Sequence, residues 1–218
     1  FMSTVKRSVL NVLYIAKREL EAYFASPIAY LVIAAFLAVT GYLFALITYY
    51  SREATLRYLF HNMTTLLLFM SPLLTMRLLA EEQRSGTIEL LLTSPVRDWE
   101  VVIGKFLASL SLLVVTLICT LYYPIILIIF QANPDWGPVA SGYLGILLFG
   151  AATFSIGLFT SSLSKNQIVA AILGVGILLI LWLLDAASNV TGAPLSQVLE
   201  FLALSRHFFD FPKGVIDT

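Results

Sequence analysis

The sequence predicts an all-α integral membrane protein: an N-terminal amphipathic interface helix followed by five spanning helices in this chain. Three observations predict it. Hydrophobic residues make up 59% of the 218 positions and charged residues 12%, about half the charged share of a soluble domain. The mean hydropathy is +0.91. Five apolar runs with almost no charge each approach the ~20 residues that cross ~30 Å of hydrocarbon. Lys and Arg number 13, as do Asp and Glu, so no basic footprint for nucleic acid stands out. The expected surrounding is the lipid bilayer.

Residues 8–26 carry Val12, Leu13, Ala16, Leu20, Tyr23 and Phe24 at helical spacing. Tyr14, Lys17, Arg18 and Glu21 fall on the other face. Such a basic amphipathic helix lies in the headgroup plane. The competing reading is a solvated extension of the first span. Ser26-Pro27 favours an elbow, because Pro suits a first helical turn and disfavours helix in the residue before it. Residues 28–49 form the first span, with Tyr42, Tyr49 and Tyr50 toward one interface. It is too long and too far from the start for a cleaved signal segment.

Residues 60–79 form the second span, with a kink expected at Pro72 and Arg77 placed to snorkel. Residues 80–95 are a charged, Gly-broken island. A long helix follows from Asp98 to about Phe130, for which Ser94-Pro95 offers an N-cap and first turn. Its first turns, with Arg97, Asp98, Glu100 and Lys105, project from the membrane, and residues 106–130 form the span. Pro124 is expected to kink its far end. Gln131 to Tyr143 reads as a loop. Residues 144–163 form the fourth span, dense in small residues that let helices approach closely, with no strict GxxxG to assign the packing face. Residues 168–185 form the fifth. A short interfacial helix is expected over Leu195 to Leu204.

Alternate assignment of the loops places Lys6, Arg7, Lys17, Arg18, Arg77, Arg84, Arg97, Lys105 and Lys165 on one side. Arg52, Arg57, Arg206 and Lys213 fall on the other. The excess puts the N-terminus and the island in the cytoplasm. Five spans leave the C-terminus outside, so a sixth helix is expected after Thr218.

No catalytic residues and no metal site are expected. There is no phosphate-cradling Gly-x-x-x-x-Gly-Lys loop and no His-Glu-x-x-His pair. The single Cys119 reads as a packing residue. Asp185 is the one acid near the interior of a span, where a carboxylate is costly. It reads as interfacial solvation or as part of a polar exit path. In the island, Glu81, Glu82 and Arg84 end a helix in water and Gly86 breaks it. Thr87 can cap a short helix with Glu89 in its first turn. Ile88, Leu90, Leu91 and Leu92 then form an apolar face. That face buries in the headgroups, against its own first helix, or in a groove on a cytoplasmic protein.

The segment 77–96, with Gly104-Lys105-Phe106 after it, resembles the signature of type-2 ABC transporter permeases. Residues 17–30 and 205–217 are similar to the gliding-motility-type branch. The resemblance covers essentially residues 1–218 as one permease transmembrane domain. It implies a six-helix permease of the bacterial cytoplasmic (inner) membrane, paired as a homodimer or with a sister permease. It also implies a cytoplasmic ABC ATPase subunit that holds ATP and Mg; this chain holds no cofactor of its own. By match, Glu81, Glu82, Arg84, Gly86, Thr87, Ile88, Glu89, Leu90 and Leu91 form the ATPase-coupling element. Val12, Ala16, Lys17, Arg18 and Leu20 form the interface helix. The turn at Ser164 to Gln167 makes a minor contact. The implied function is an exporter permease that couples ATP hydrolysis to substrate movement. A non-transporting scaffold passing ATPase motion to another protein is the alternative. A multipass membrane enzyme would need paired acids or His within the spans, which are absent. On this reading Glu82→Arg with Leu91→Asp detaches the ATPase without unfolding the spans, since both are read as exposed, and the second and third helices are rigid rods.

Overall fold

Ser26 and Pro27 divide the first fifty residues into two helices, α1 (Met2–Ala25) and α2 (Pro27–Ser51). The elbow follows from proline's missing N–H: Ser26 closes the turn onto the Tyr23 carbonyl at 3.1 Å and α2 starts afresh. The amphipathic helix is therefore separate from the first span and not an extension of it. The computed structural model describes residues 2–51, 55–87, 96–130, 134–188, 196, 199, 201, 203, 208 and 211–213.

The second span is α3 (Arg57–Thr75), followed by α4 (Arg77–Ser85). The third is α5 (Asp98–Thr120) and α6 (Tyr122–Ile129). The fourth is α7 (Trp136–Ser162) and the fifth α8 (Gln167–Ser188), with a 3-10 turn at Phe211–Lys213. Among the described residues five helices are long and apolar enough to cross a membrane, and there is no strand.

α3 and α7 pack face to face at the centre, with α2 on α3, α5 on α7 and α8 against both. Small residues make the close approaches possible. A Cβ on Gly142 would enter the ring of Phe60, one on Gly150 would meet Leu113, and one on Gly157 would meet Thr75. The packing face left unassigned by the sequence is therefore the Gly142–Gly150–Gly157 side of α7. In the apolar window of α3, 61% of residues are buried, against 17% in α2 and 22% in α8. The α2 and α8 faces thus form the outside of this subunit.

Several expectations need correction. Residues 136–143 are the first turns of α7 and not a loop. Asp135 caps that helix by accepting from Gly137 N at 3.2 Å. The third long helix starts at Asp98 with Arg97 as N-cap; Ser94-Pro95 lie outside the described residues. The Glu100 carboxylate accepts the Arg97 N–H at 3.2 Å, the return half of a capping box. Pro124 interrupts that helix, but the break falls at Leu121. Proline has no N–H for the Thr120 carbonyl, and the Tyr143 hydroxyl donates to it instead, at 2.9 Å. Cys119 is exposed on the subunit surface, not packed inside. Residues 195, 197, 198, 200, 202 and 204 lie outside the described residues, which leaves the 195–204 helix largely so.

The hydrogen-bond ladder of the second span is interrupted near Met76. α3 runs through Pro72 and stops at Thr75, and α4 starts after Met76. In an unbroken helix Leu79 N and Ala80 N would donate to the carbonyls of Thr75 and Met76. Instead both donate to Ser161 Oγ of α7, at 3.0 and 3.1 Å. That hydroxyl donates in turn to the Met76 carbonyl at 2.8 Å. One side chain is inserted into the ladder, and its full bonding capacity is used. Ser161→Ala is expected to leave these groups unpaired and to lower stability by about 1–3 kcal/mol, read from thermal unfolding in detergent.

Candidate functional site

The end of the bundle where α1, α4 and α5 meet carries the densest charge. Gly104 of α5 sits directly under α1: a Cβ there would lie 2.7 Å from Ile15 Cγ2 and 3.2 Å from the Val12 carbonyl oxygen. The missing side chain lets α1 cross α5 at close range. One turn before it, Glu100, 2% exposed, accepts from Asn11 Nδ2 at 3.0 Å and from the Ser8 hydroxyl.

One residue beyond Gly104, Lys105 is 1% exposed. Its Nζ donates to Glu19 Oε1 of α1 at 3.0 Å and to Glu82 Oε1 of α4 at 2.8 Å. Arg18 closes the group, reaching Glu19 at 3.1 Å and Glu82 at 3.5 Å. Two cations and two carboxylates therefore tie three helices together with no net charge. Taking an ammonium out of water is costly unless it is paired and hydrogen-bonded, and Lys105 is both. A small polar cavity of about 150 Å³ adjoins it, lined in part by Arg77, Glu81, Ser85 and Thr87.

Two further contacts anchor the junction. Tyr23 Oη donates to the Leu74 carbonyl at 2.7 Å. Burial, with the Glu19 charge adding to it, pushes the Tyr23 hydroxyl far above its ordinary range, so it stays a protonated donor. Gln83 Nε2 donates to the Ser162 carbonyl at 2.8 Å, fixing the last turn of α4 on the end of α7.

Of the sequence-predicted residues, Glu81 and Arg84 are exposed, and Arg77 Nε meets Glu81 at 3.4 Å. Gly86 ends α4 with φ 73°, where a Cβ would be strained. Thr87 is exposed, its hydroxyl 2.8 Å from that of Ser85. Ile88, Glu89, Leu90 and Leu91 lie outside the described residues. Val12 is buried on α5, Ala16 and Leu20 are half-buried, and Lys17 is exposed beside Glu21. Asp185 is half-buried in the last turn of α8, where its carbonyl accepts from Ser188.

Glu82 and Lys105 depart from expectation. The Glu82 side chain is 17% exposed and engaged with Lys105, so Glu82→Arg would set two cations together and damage the fold itself. Lys105 is buried, not projecting into water. Sequence reasoning also missed Glu19, Asn11 and Ser161. One signal was available: Lys105 is the only charge in the apolar run from Val101 to Phe130, and a lone charge in such a run faces a partner.

The probable multidrug ABC transporter permease YbhR of Escherichia coli strain K12 is 32% identical over 139 residues, 62% of this chain and 37% of that protein. The protein of the same name from Escherichia coli O157:H7 gives the same figures. The chain thus spans less than two fifths of the length of these curated relatives. Residues 26–203 match the family described as ABC-2 family transporter protein, and with five candidate membrane spans the chain belongs to that family as a multi-pass membrane protein.

Proposed function

We propose that this chain is the permease subunit of an ABC exporter of the bacterial cytoplasmic membrane, with its N-terminus and the α4 end in the cytoplasm. One observation carries the reading. Lys105, buried between Glu19 and Glu82, joins α1, α4 and α5 into one block, at the end where Gly86 turns the chain out of α4. A cytoplasmic ATPase holding ATP and Mg engages the element from Glu81 to Leu91 and the exposed face of α1. Its nucleotide-driven movement pushes on the segment after Gly86, and the ion cluster passes that push to α5 and the bilayer. ATP hydrolysis belongs to the partner, so this chain is not itself an enzyme.

A second permease, identical or a sister chain, covers the α2 and α8 faces. Asp185, at the end of α8, is the polar group cargo meets on leaving. The residues at 17–30 and 205–217 support placement in the gliding-motility-type branch.

The test is Gly86→Val. Among the described residues nothing lies within 4 Å of a Cβ there, and at φ 73° the substitution strains the backbone turn by about 1–2 kcal/mol. The expected result is loss of ATPase co-purification while the permease stays folded, its melting temperature lower by no more than about 8 °C. Full retention of the ATPase would sink the assignment.

A further inference from the structure

The four charges at the α1–α4–α5 junction divide along the surface on which α1 sits. On α1, Arg18 and Glu19 pair with each other at 3.1 Å. Across the boundary between α4 and α5, Glu82 and Lys105 pair at 2.8 Å. The bonds that hold α1 down are the crossed ones, Lys105 to Glu19 at 3.0 Å and Arg18 to Glu82 at 3.5 Å. Lifting α1 away would therefore separate two neutral pairs and strand no charge.

The hydrogen-bond count points the same way. Among the described residues Glu82 Oε2 is buried with no partner. Lys105 Nζ has three N–H groups and uses two, on Glu19 and Glu82. The N–H released by Glu19 has an acceptor waiting on the same carboxylate that already holds the lysine. The upper contact is equally self-contained: if Asn11 leaves, Glu100 keeps the Arg97 N–H of its own helix. A hinge is in place as well, since α1 and α2 meet at the elbow of Ser26, beside the Tyr23 anchor on Leu74.

We propose that α1 is a hinged strap that docks on and lifts from α5, latched by Lys105. In the docked state the lysine is shared between Glu19 and Glu82. On lifting, the N–H released by Glu19 moves to Glu82 Oε2 and the lysine is held by Glu82 alone, while Arg18 accompanies Glu19 into solvent. The inference does not depend on the ATPase, and it is tested on the full chain by itself.

The test exploits an asymmetry. Glu19 and Glu82 both bind the same ammonium, so a static cluster weakens whichever is removed. The latch gives opposite signs. Spin labels at Tyr14 on α1 (70% exposed) and Val102 on α5 (45% exposed), in a Cys119→Ser background in nanodiscs, report docked and lifted populations by pulsed dipolar spectroscopy. Glu19→Gln is expected to raise the lifted-to-docked ratio about tenfold, the loss of one charge-assisted bond. Glu82→Gln is expected to lower it about tenfold, because lifting would leave Lys105 with no carboxylate partner. With Lys105→Gln added, the opposition should vanish. Shifts of the same sign for the two Glu variants, or no longer-distance population in Glu19→Gln, would overturn the proposal.

Discussion

Lys105→Met is expected to lower the unfolding free energy by about 3–5 kcal/mol, the usual cost of removing one member of a buried ion group. Glu19 and Glu82 would be left facing each other across an ammonium that is gone. The loss should appear as a lower melting temperature and faster proteolysis of α1. Charge imbalance, not lost packing, causes the loss. Methionine fills nearly the same volume, so Glu19→Gln and Glu82→Gln placed together with Lys105→Met should recover most of the loss. Replacing a whole buried ion group by neutral residues is often tolerated where breaking it is not. If the triple variant is no more stable than Lys105→Met, the destabilisation comes from shape and the ion cluster is incidental.

Gly142→Val should cost about 1–3 kcal/mol or prevent assembly, because a side chain there overpacks the core. The obstacle is the ring of Phe60, which is 1% exposed and cannot swing aside. It is held edge-on against Tyr143, with centroids 5.2 Å apart. Gly176 provides the comparison. It is also a glycine in a spanning helix, but among the described residues nothing lies within 4 Å of an added Cβ. Gly176→Ala should be neutral or stabilising by up to about 1 kcal/mol through helix propensity. Thermal unfolding of both variants in the same detergent decides whether the glycines of α7 act through close approach. Equal effects at the two sites would remove that explanation.

The spans were legible because their signal is one-dimensional. A stretch without charge must lie in lipid wherever its neighbours sit, so residues 28–49 and 106–130 could be placed by counting. The elbow at Ser26-Pro27 and the end of α4 at Gly86 were legible for a similar reason, since each depends on the backbone chemistry of one or two residues. Other boundaries were less visible. The loop expected up to Tyr143 is helical because Asp135 caps it early, and a spacing argument gives a cap little weight beside two nearby prolines.

The site was read only in outline. Glu82 looked like a solvated acid because its neighbours in sequence are Glu81, Gln83 and Arg84. Its partner stands 23 residues away on α5, and the third member, Glu19, lies 86 residues from Lys105. No local pattern announces such a group. The same holds for Ser161, whose hydroxyl breaks a helix 81 and 82 residues upstream.

The sequence by itself determined that the chain lives in a bilayer, how many helices here can cross it, and where the polar island falls, because burial of apolar residues in lipid depends on composition and period alone. Only the tertiary structure decided which charges are buried and paired, which glycines bring helices together, and where the hydrogen-bond ladder of the second span is interrupted. Those properties arise from atoms within a few ångströms of one another that are tens of residues apart along the chain.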